Sequence, residues 1–317
     1  MLRAVQIGMN TSDLASSLRL YSEAFGFRNA GSQVLWGDAI RVQGLDPRSL
    51  AMIWWLIGRQ KFFQLELFHH SEPAQRPLRA DWRPCDHGWV RIGVTVGDFD
   101  GCMATLERYG MEFLGVPVCT DGARRRAFRD PYVGVVIEVM ENCAELASAD
   151  AGSAGDGPAV AYIASSVSNL GSARHFYEYV LELQIEPIEI LHDSSHEALW
   201  GLAGAERDGF LVKSGDVRLE IVQYCNPIGR PRPTDYRASD QGIVNVALGS
   251  RQTAVVAGAL ERLQVAGYAP PHLVKVLGTL CGYIMDPERE LELAALPEDL
   301  DPRTGFVATW PFVSAAR

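Results

Sequence analysis

Four glutamates lie in mostly apolar, strand-like stretches of the sequence. They are Glu66 in Phe63–Phe68, Glu138 in Val136–Val139, Glu220 in Val217–Val222 and Glu292 in Glu290–Leu293. A carboxylate on an apolar strand must face water, a partner or a functional cavity, because burying an unpaired charge is costly. For one such strand the water-facing interpretation is as good as the functional one. Four strands with the same placement favour shared cavity faces, where carboxylates could transfer protons or hold a hard cation.

The same order of elements precedes each glutamate: a strand, a helix and then weaker strands. The helix after Asp13 has apolar residues at Leu14, Leu18, Tyr21 and Phe25, which is the spacing of one helical face. The four first strands are predicted at Val5–Met9, Val90–Val94, Tyr162–Ile163 and Ile243–Val246. The sequence therefore predicts four copies of one unit, which we call modules.

A longer repeat with a constant offset of 154 residues is superimposed on the modules. It matches Arg76 with Arg230, Pro77 with Pro231, Asp81 with Asp235, Asp86 with Asp240 and Gly88 with Gly242. Residues 141–158 between the copies are rich in Ala, Ser, Gly and Asp and lack periodicity, which is typical of a linker. We therefore predict a tandem duplication. Its N-terminal domain spans residues 1–142 (modules about 1–75 and 85–142), a linker follows at 143–157, and the C-terminal domain spans 158–317 (modules about 158–230 and 240–300).

Composition limits the classes of function. A chain of 317 residues with 47% hydrophobic residues can form two real cores. The formal net charge of −10 argues against nucleic-acid binding. We expect no membrane span and no signal peptide, and the six scattered cysteines suit free thiols in a reducing cytoplasm. The expected partner is a small-molecule substrate or ligand, and the expected assembly is a monomer or a homodimer.

The sequence resembles the vicinal-oxygen-chelate superfamily, which includes glyoxalase I, extradiol dioxygenases and bleomycin-resistance proteins. The resemblance is carried by the helix ends Leu20–Phe27 and Arg174–Leu183 and by the Asp-Pro pairs at Asp130 and Asp286, each shortly before a glutamate-bearing strand. It covers nearly the whole chain. It implies an α+β fold in which four βαβββ modules pair into two curved, mixed β-sheet half-barrels flanked by helices, each around a cavity.

The resemblance also implies which positions line those cavities. Besides the four glutamates, one residue of each first strand faces inward, and in the family this residue is usually a histidine. Here these positions hold Gln6, Arg91, Tyr162 and Asn245. The missing histidines argue against the iron site of a ring-cleaving dioxygenase. We expect no cofactor, or at most a weakly held Mg²⁺ or Mn²⁺ at Glu220 and Glu292.

Pairing neighbouring modules predicts two different cavities. The N-terminal cavity would bind substrate through Gln6, Glu66, Arg91 and Glu138, with Trp54 as a stacking surface. Arg91 cannot ligate a metal, and we expect it to neutralise Glu66 and Glu138 or to bind a ligand carboxylate.

The C-terminal cavity would hold the catalytic residues Tyr162, Glu220, Asn245 and Glu292. Two close carboxylates raise each other's pKa, which would give a general base beside Tyr162 as acid.

Three functions are compatible with these residues. The first is a glyoxalase- or dioxygenase-like enzyme that acts on a small organic metabolite, such as an aromatic or polycyclic compound, by lyase or isomerase chemistry without a histidine-bound metal. The alternative is a non-catalytic, resistance-type protein that sequesters a small molecule. The third is an extradiol-dioxygenase-like protein that has lost its iron ligands. His192 and His196 lie in a polar stretch and are weak candidates for chemistry.

Overall fold

The computed structural model describes residues 1–120, 122–142, 157–268, 272–276, 278–286, 288 and 290–310. The predicted linker at 143–157 lies outside the described residues except for residue 157.

Each module contains a first strand, a helix and three further strands, as predicted. The first consists of β1 (Arg3–Asn10), α1 (Leu14–Arg19), β2 (Arg28–Trp36), β3 (Leu50–Ile57) and β4 (Gln64–Glu72). The second consists of β5 (Gly88–Val96), α2 (Phe99–Arg108), β6 (Val118–Thr120), β7 (Ala123–Arg129) and β8 (Val136–Glu141). The third consists of β9 (Ala159–Ser166), α3 (Leu170–His175), β10 (Gln184–Pro187), β11 (Glu206–Ser214) and β12 (Val217–Asn226). The fourth consists of β13 (Gly242–Ser250), α4 (Thr253–Val265), β14 (Leu273–Val276), β15 (Thr279–Ile284) and β16 (Leu291–Ala295).

The helices begin where the sequence places capping side chains. Asp13, Asp98 and Asn169 each accept a hydrogen bond from a backbone N–H of the first helical turn. Two helices continue as π-helical turns, Leu20–Phe25 after α1 and Phe176–Val180 after α3. These turns carry Tyr21, Phe25, Phe176 and Tyr177 into the core, whereas Tyr179 is exposed.

The strands form two eight-stranded mixed sheets. Sheet A has the order β14-β15-β16-β13-β1-β4-β3-β2, and sheet B has the order β10-β11-β12-β9-β5-β8-β7-β6. Sheet A is therefore built from the first and fourth modules, and sheet B from the second and third. The predicted pairing of neighbouring modules within residues 1–142 and within 158–317 is wrong, although the fold class and the four modules are confirmed.

One register is repeated in all four modules. Each glutamate of a closing strand pairs, in parallel, with the residue two positions after the inward-facing residue of the first strand. These pairs are Gly8 with Glu66, Gly93 with Glu138, Ala164 with Glu220 and Ala247 with Glu292. Because side chains alternate along a strand, the glutamate and the first-strand residue point to the same, concave face.

The opposite face of each first strand packs into the core. Ile7, Ile92, Ile163 and Val246 directly follow the four inward-facing positions, and all are at most 1% exposed. They belong to one large cluster with the buried residues of the helices, which spans both sheets. No helix among the described residues is long and apolar enough to cross a lipid bilayer. The five described cysteines are free thiols, and Cys143 lies outside the described residues.

The 154-residue repeat forms a reciprocal clasp between the segments that connect β4 to β5 and β12 to β13. The Arg76 guanidinium hydrogen-bonds to Asp240 at 2.6 and 2.9 Å and also to Asp235. The Arg230 guanidinium makes the equivalent bonds, at 2.7 and 3.1 Å to Asp86, and it also binds a second aspartate, Asp81. Each copy thus holds two aspartates of the other, so the repeated motif joins the two halves of the chain.

Candidate active site

The concave face of sheet A surrounds a small cavity of about 60 Å³. Strands β1 and β4 contribute Gln6 and Glu66, and β16 contributes Glu292. Asn245 on β13 lies beside them and binds Glu292. The rest of the wall is mainly apolar or aromatic, with the neutral polar residues Gln33, Gln64, Thr279 and Thr304. No Lys, Arg or His lines this cavity among the residues that the structure describes.

Glu66 is buried and held by two donors. Gln6 Nε2 donates to Glu66 Oε2 at 2.5 Å, and the indole Nε1 of Trp55 donates to Glu66 Oε1 at 2.9 Å. Gln6 is oriented in turn, because its Oε1 accepts a 2.7 Å hydrogen bond from Gln64 Nε2. Burial and the nearby charge of Glu292 raise the pKa of Glu66 well above its usual value, despite the two hydrogen bonds that oppose this.

Glu292 is held by three donors. Asn245 Nδ2 donates to its Oε2 at 3.0 Å, and the Cys281 thiol and the Tyr283 hydroxyl also hydrogen-bond to it. Burial raises the pKa of Glu292, and the three donors oppose the rise. The two carboxyls thus lie in one cavity, and each has a raised pKa. They can act as a proton donor and a proton acceptor.

The donor set of this cavity also fits a hard divalent cation. Glu66 and Glu292 supply carboxylates and Gln6 and Asn245 supply amide oxygens, which are the oxygen ligands that Mg²⁺ and Mn²⁺ prefer. The Oδ1 atom of Asn245 is buried and has no hydrogen-bond partner. Among the described residues, no group of three or more His, Cys, Asp or Glu side chains could hold a metal ion, so the two amides would have to complete a site.

A C-terminal strap, residues 298–306, covers the cavity. Thr304 lines it, and Gly305 lies so close to Trp55 that an added Cβ atom would be 2.4 Å from the indole Cγ. The strap is anchored by an ion pair between Arg251 and Asp301 and by the contact of Phe306 with the Phe62 ring, at 5.1 Å between centroids. The strap therefore covers part of the cavity, which at about 60 Å³ has room only for a small ligand while the strap is in place.

On the concave face of sheet B, the side chains of the four inward-facing residues are packed together. Arg91, Glu138, Tyr162 and Glu220 are all fully buried. Arg91 Nη2 binds Glu220 Oε2 at 2.6 Å, and its guanidinium carbon lies 3.4 Å from the ring centroid of Trp200. The Tyr162 hydroxyl donates to Glu138 Oε2 at 2.5 Å. An added Cβ at Gly93 would lie 2.0 Å from the Tyr162 ring, so small residues on the first strands do not signal free space.

His192 completes this network from an irregular segment between β10 and β11. Its Nδ1 lies 2.8 Å from Glu220 Oε1 and its Nε2 lies 3.4 Å from Glu138 Oε2. Burial lowers the pKa of His192, but the two carboxylates outweigh burial and raise it. The imidazolium in turn holds the pKa of Glu138 at about 2, against the effect of burial. The raised pKa favours the charged form of the imidazole that lies between the two glutamates.

The structure groups the predicted site residues differently from the prediction. Gln6 and Glu66 meet Asn245 and Glu292 instead of Arg91 and Glu138, and Arg91 pairs with Glu220 instead of neutralising Glu66. Glu220 and Glu292 lie in different sheets, so they cannot share the metal that was considered for them. Trp54 is turned away from the cavity and donates to Asn29 Oδ1 at 2.8 Å, whereas its neighbour Trp55 faces inward. Sequence reasoning gave His192 only as a weak candidate. It missed Gln64, Trp55, Cys281 and Tyr283 in sheet A and Arg125 and Trp200 in sheet B.

Alternation along β15 and β16 could have identified Cys281 and Tyr283, because Glu292 pairs with Tyr283 across the sheet. No comparable signal marks His192. It precedes a 3₁₀ helix (Ser194–Trp200), and its local sequence is polar.

Comparisons with known proteins agree with this architecture. A family model described as the Glyoxalase/Bleomycin resistance protein/Dioxygenase superfamily matches residues 3–139. The chain is similar in structure to glyoxalase I from Zea mays, with 13% sequence identity, 96% of this chain and 95% of that chain covered, and a TM-score of 0.55. It is also similar to a candidate dioxygenase from Bacillus subtilis, with 14% identity, 97% and 91% coverage, and a TM-score of 0.56. No curated protein matches the sequence. The family model thus matches residues 3–139, and the similarity to these two solved structures shows that the whole chain shares their fold.

Proposed function

We infer that the cavity of sheet A is the single active site of an enzyme that moves a proton on a small organic molecule, in a lyase or isomerase reaction. The observation that carries this proposal is the contrast between the two glutamate pairs. Glu138 and Glu220 are neutralised by Arg91, Arg125 and His192. The pair Glu66 and Glu292 has no basic partner among the described residues that line its cavity. Only this second pair is free to exchange protons.

The two carboxyls of sheet A have distinct roles in the proposed reaction. Burial and the charge of Glu292 raise the pKa of Glu66 well above its usual value, and at Glu292 three donors oppose the rise, so we assign Glu66 as the proton donor and Glu292 as the proton acceptor. Glu292 would take the proton from a carbon next to a carbonyl, and Glu66 would deliver its own proton to the neighbouring oxygen or carbon. The amide N–H groups of Gln6 and Asn245 are placed to stabilise negative charge that develops on the substrate oxygen.

A divalent cation is compatible with this assignment. Gln6, Glu66, Asn245 and Glu292 would hold it, and it would polarise the substrate carbonyl as a Lewis acid. In that case Glu66 must lose its proton on binding, so cation affinity would rise with pH.

The proposal is tested by hydrogen–deuterium exchange of α-protons in D₂O, followed by ¹H NMR. Suitable probes are pyruvate, hydroxyacetone and phenylpyruvate, each with EDTA and with added Mg²⁺. We expect exchange of at least one probe to be accelerated, and Glu292→Gln to reduce the rate at least 100-fold, which is the usual scale for loss of a general base. The matched control is Glu72→Gln. Glu72 is an exposed residue of β4, the strand that also carries Glu66, and its replacement should leave the exchange rate unchanged.

Exchange that persists in Glu292→Gln would contradict the proposal. Binding of the probes without any exchange would favour the alternative, a protein that sequesters small molecules.

A further inference from the structure

A second, larger cavity lies between the two connecting segments that form the clasp. We call it the interface pocket. It has a volume of about 210 Å³ and is formed mainly by residues 76–89 and 230–243. It shares no lining residue with the cavity of sheet A. It is therefore a separate space, and nothing in the proposed reaction uses it.

The two copies of the 154-residue repeat differ in sequence around this pocket. The clasp residues are identical in the two copies, but the residues beside them are not. At the offset of 154, Leu78 corresponds to Arg232, Arg79 to Pro233 and Trp89 to Ile243, and all six line the pocket. The clasp alone would need none of these differences. These differences give the pocket an aromatic wall and two arginines, Arg79 and Arg232, that have no counterpart in the other copy of the repeat.

The aromatic wall is formed by Trp82, Trp89 and Tyr236. Trp89 is buried and fixed in place, because its Nε1 donates to the backbone carbonyl of Glu290 at 2.9 Å. Trp82 and Tyr236 are half-buried and correspond to each other in the repeat. Three rings around one small cavity favour a flat, aromatic occupant.

The cations of the pocket differ in how strongly they are engaged. Arg76 and Arg230 are saturated by the clasp aspartates. Arg232 pairs with Glu290 and lies over the Tyr236 ring, with 4.3 Å from the guanidinium carbon to the centroid. Arg79 makes only long contacts, a 3.3 Å hydrogen bond to Asp86 and 3.7 Å to Asp81, and is about one third exposed. Arg79 is thus the group best able to rearrange onto an anionic ligand.

The charge of the residues that line the pocket also bears on an anionic ligand. Four arginines and three aspartates line the interface pocket, together with His87. The lining therefore has a small surplus of positive charge, although the whole chain has a net charge of −10. Glu290 and Asp81, which pair with Arg232 and Arg79 from outside the lining, offset this surplus, so a monoanion would have to replace the weakly held Asp81 at Arg79.

We propose that the interface pocket is a second ligand site, which binds a small planar aromatic carboxylate. The ring stacks against Trp82, Trp89 and Tyr236, and the carboxylate binds the guanidinium of Arg79. An apolar cavity of about 150 Å³ accommodates benzene, so the interface pocket has room for a ring and its carboxylate. A ligand here contacts both halves of the chain at once and stabilises their association.

The experiment is calorimetric titration of the full chain with indole-3-carboxylate and, separately, with the neutral indole-3-carboxamide. We expect sub-millimolar binding of the carboxylate and weaker binding of the amide. Arg79→Ala should weaken carboxylate binding at least tenfold and leave amide binding unchanged. Trp82→Ala should weaken both.

Arg83→Ala is the matched control, because Arg83 lies in the same segment and also binds Asp86, at 2.8 Å, but does not line the pocket. It should change the carboxylate affinity less than twofold. Absence of carboxylate binding would overturn the proposal, as would equal losses in Arg79→Ala and Arg83→Ala. Glu66→Gln should leave the affinity unchanged, and a loss there would place the probe in the cavity of sheet A instead.

Discussion

Nδ1 of His192 lies 2.8 Å from a carboxylate oxygen of Glu220, and both side chains are fully buried. The same imidazole reaches Glu138 on its other side. It thereby occupies the space between two glutamates whose counterparts in sheet A, Glu66 and Glu292, face each other across an open cavity. The two concave faces of the chain share one backbone register. They differ because one of them receives a cation from within the chain and the other does not.

Removal of the His192 side chain should strongly destabilise the protein. His192→Ala leaves Glu138 and Glu220 with less compensation in a dry interior, and breaking a buried ion pair in this way costs about 3–5 kcal/mol. Urea denaturation, followed by circular dichroism, measures the free energy of unfolding. His175→Ala, at an exposed histidine on α3, is the control and should change it by less than about 0.5 kcal/mol. Equal stability of His192→Ala and the natural protein would show that His192 is not charged.

Arg91 should be coupled energetically to Glu220 and not to Glu66. We expect Arg91→Ala to cost about 3–5 kcal/mol for the same reason. In a double-mutant cycle, Arg91→Ala combined with Glu220→Gln should be less destabilising than the sum of the single changes, whereas Arg91→Ala with Glu66→Gln should be additive. Urea denaturation of the single and double variants gives both coupling energies. A coupling of Arg91 with Glu66 would restore the module pairing that the sequence predicted.

The pairing of modules could not be derived from local sequence. Every module has the same strand order, so the first strand β1 can lie beside either β5 or β13 with the same alternation of apolar and polar residues. The linker after residue 142 favoured neighbours, because short connections usually join adjacent elements. The clasp formed by Arg76 and Arg230 was visible in the sequence as a repeat, but its partners were not, since each arginine binds aspartates about 150 residues away.

The inward-facing positions were predictable and their environments were not. Residues such as Gln6 and Glu66 lie where the module pattern predicts, because register and alternation are local properties of a strand. Whether a cavity is open depends on segments without periodicity. One such segment brings His192 into sheet B, and another, the C-terminal strap, places Gly305 over Trp55 in sheet A.

The stability of the protein should depend on pH through Glu66. The pKa of Glu66 is raised in the folded state, so the contribution of this group to stability is complete below the unfolded value near 4.5 and is lost as the pH rises through the folded value. Glu66→Gln does not titrate. The variant should therefore gain stability relative to the natural protein as the pH rises above about 4.5 and until it passes the folded pKa of Glu66, by about 1.4 kcal/mol for each unit of raised pKa. Urea denaturation at several pH values measures the difference, which should stay constant for Glu72→Gln. A difference that falls with rising pH would mean that Glu66 is stabilised as a carboxylate.

The C-terminal strap should be displaced by a single methyl group. Gly305 has a φ of +80°, and an added Cβ would lie 2.4 Å from Trp55 Cγ and 2.6 Å from Gln64 Oε1. Gly305→Ala should destabilise the protein by about 1–3 kcal/mol and accelerate amide hydrogen exchange in residues 298–310, measured by mass spectrometry. Gly110→Ala is a matched control, because Gly110 has a φ of +72° but no atom within 4 Å of the added Cβ. It should cost only the backbone strain and leave exchange in the strap unchanged. The strap covers the cavity beside Glu66. Unaltered amide hydrogen exchange in Gly305→Ala would therefore show that the contact of the strap with Trp55 does not restrict access to the site.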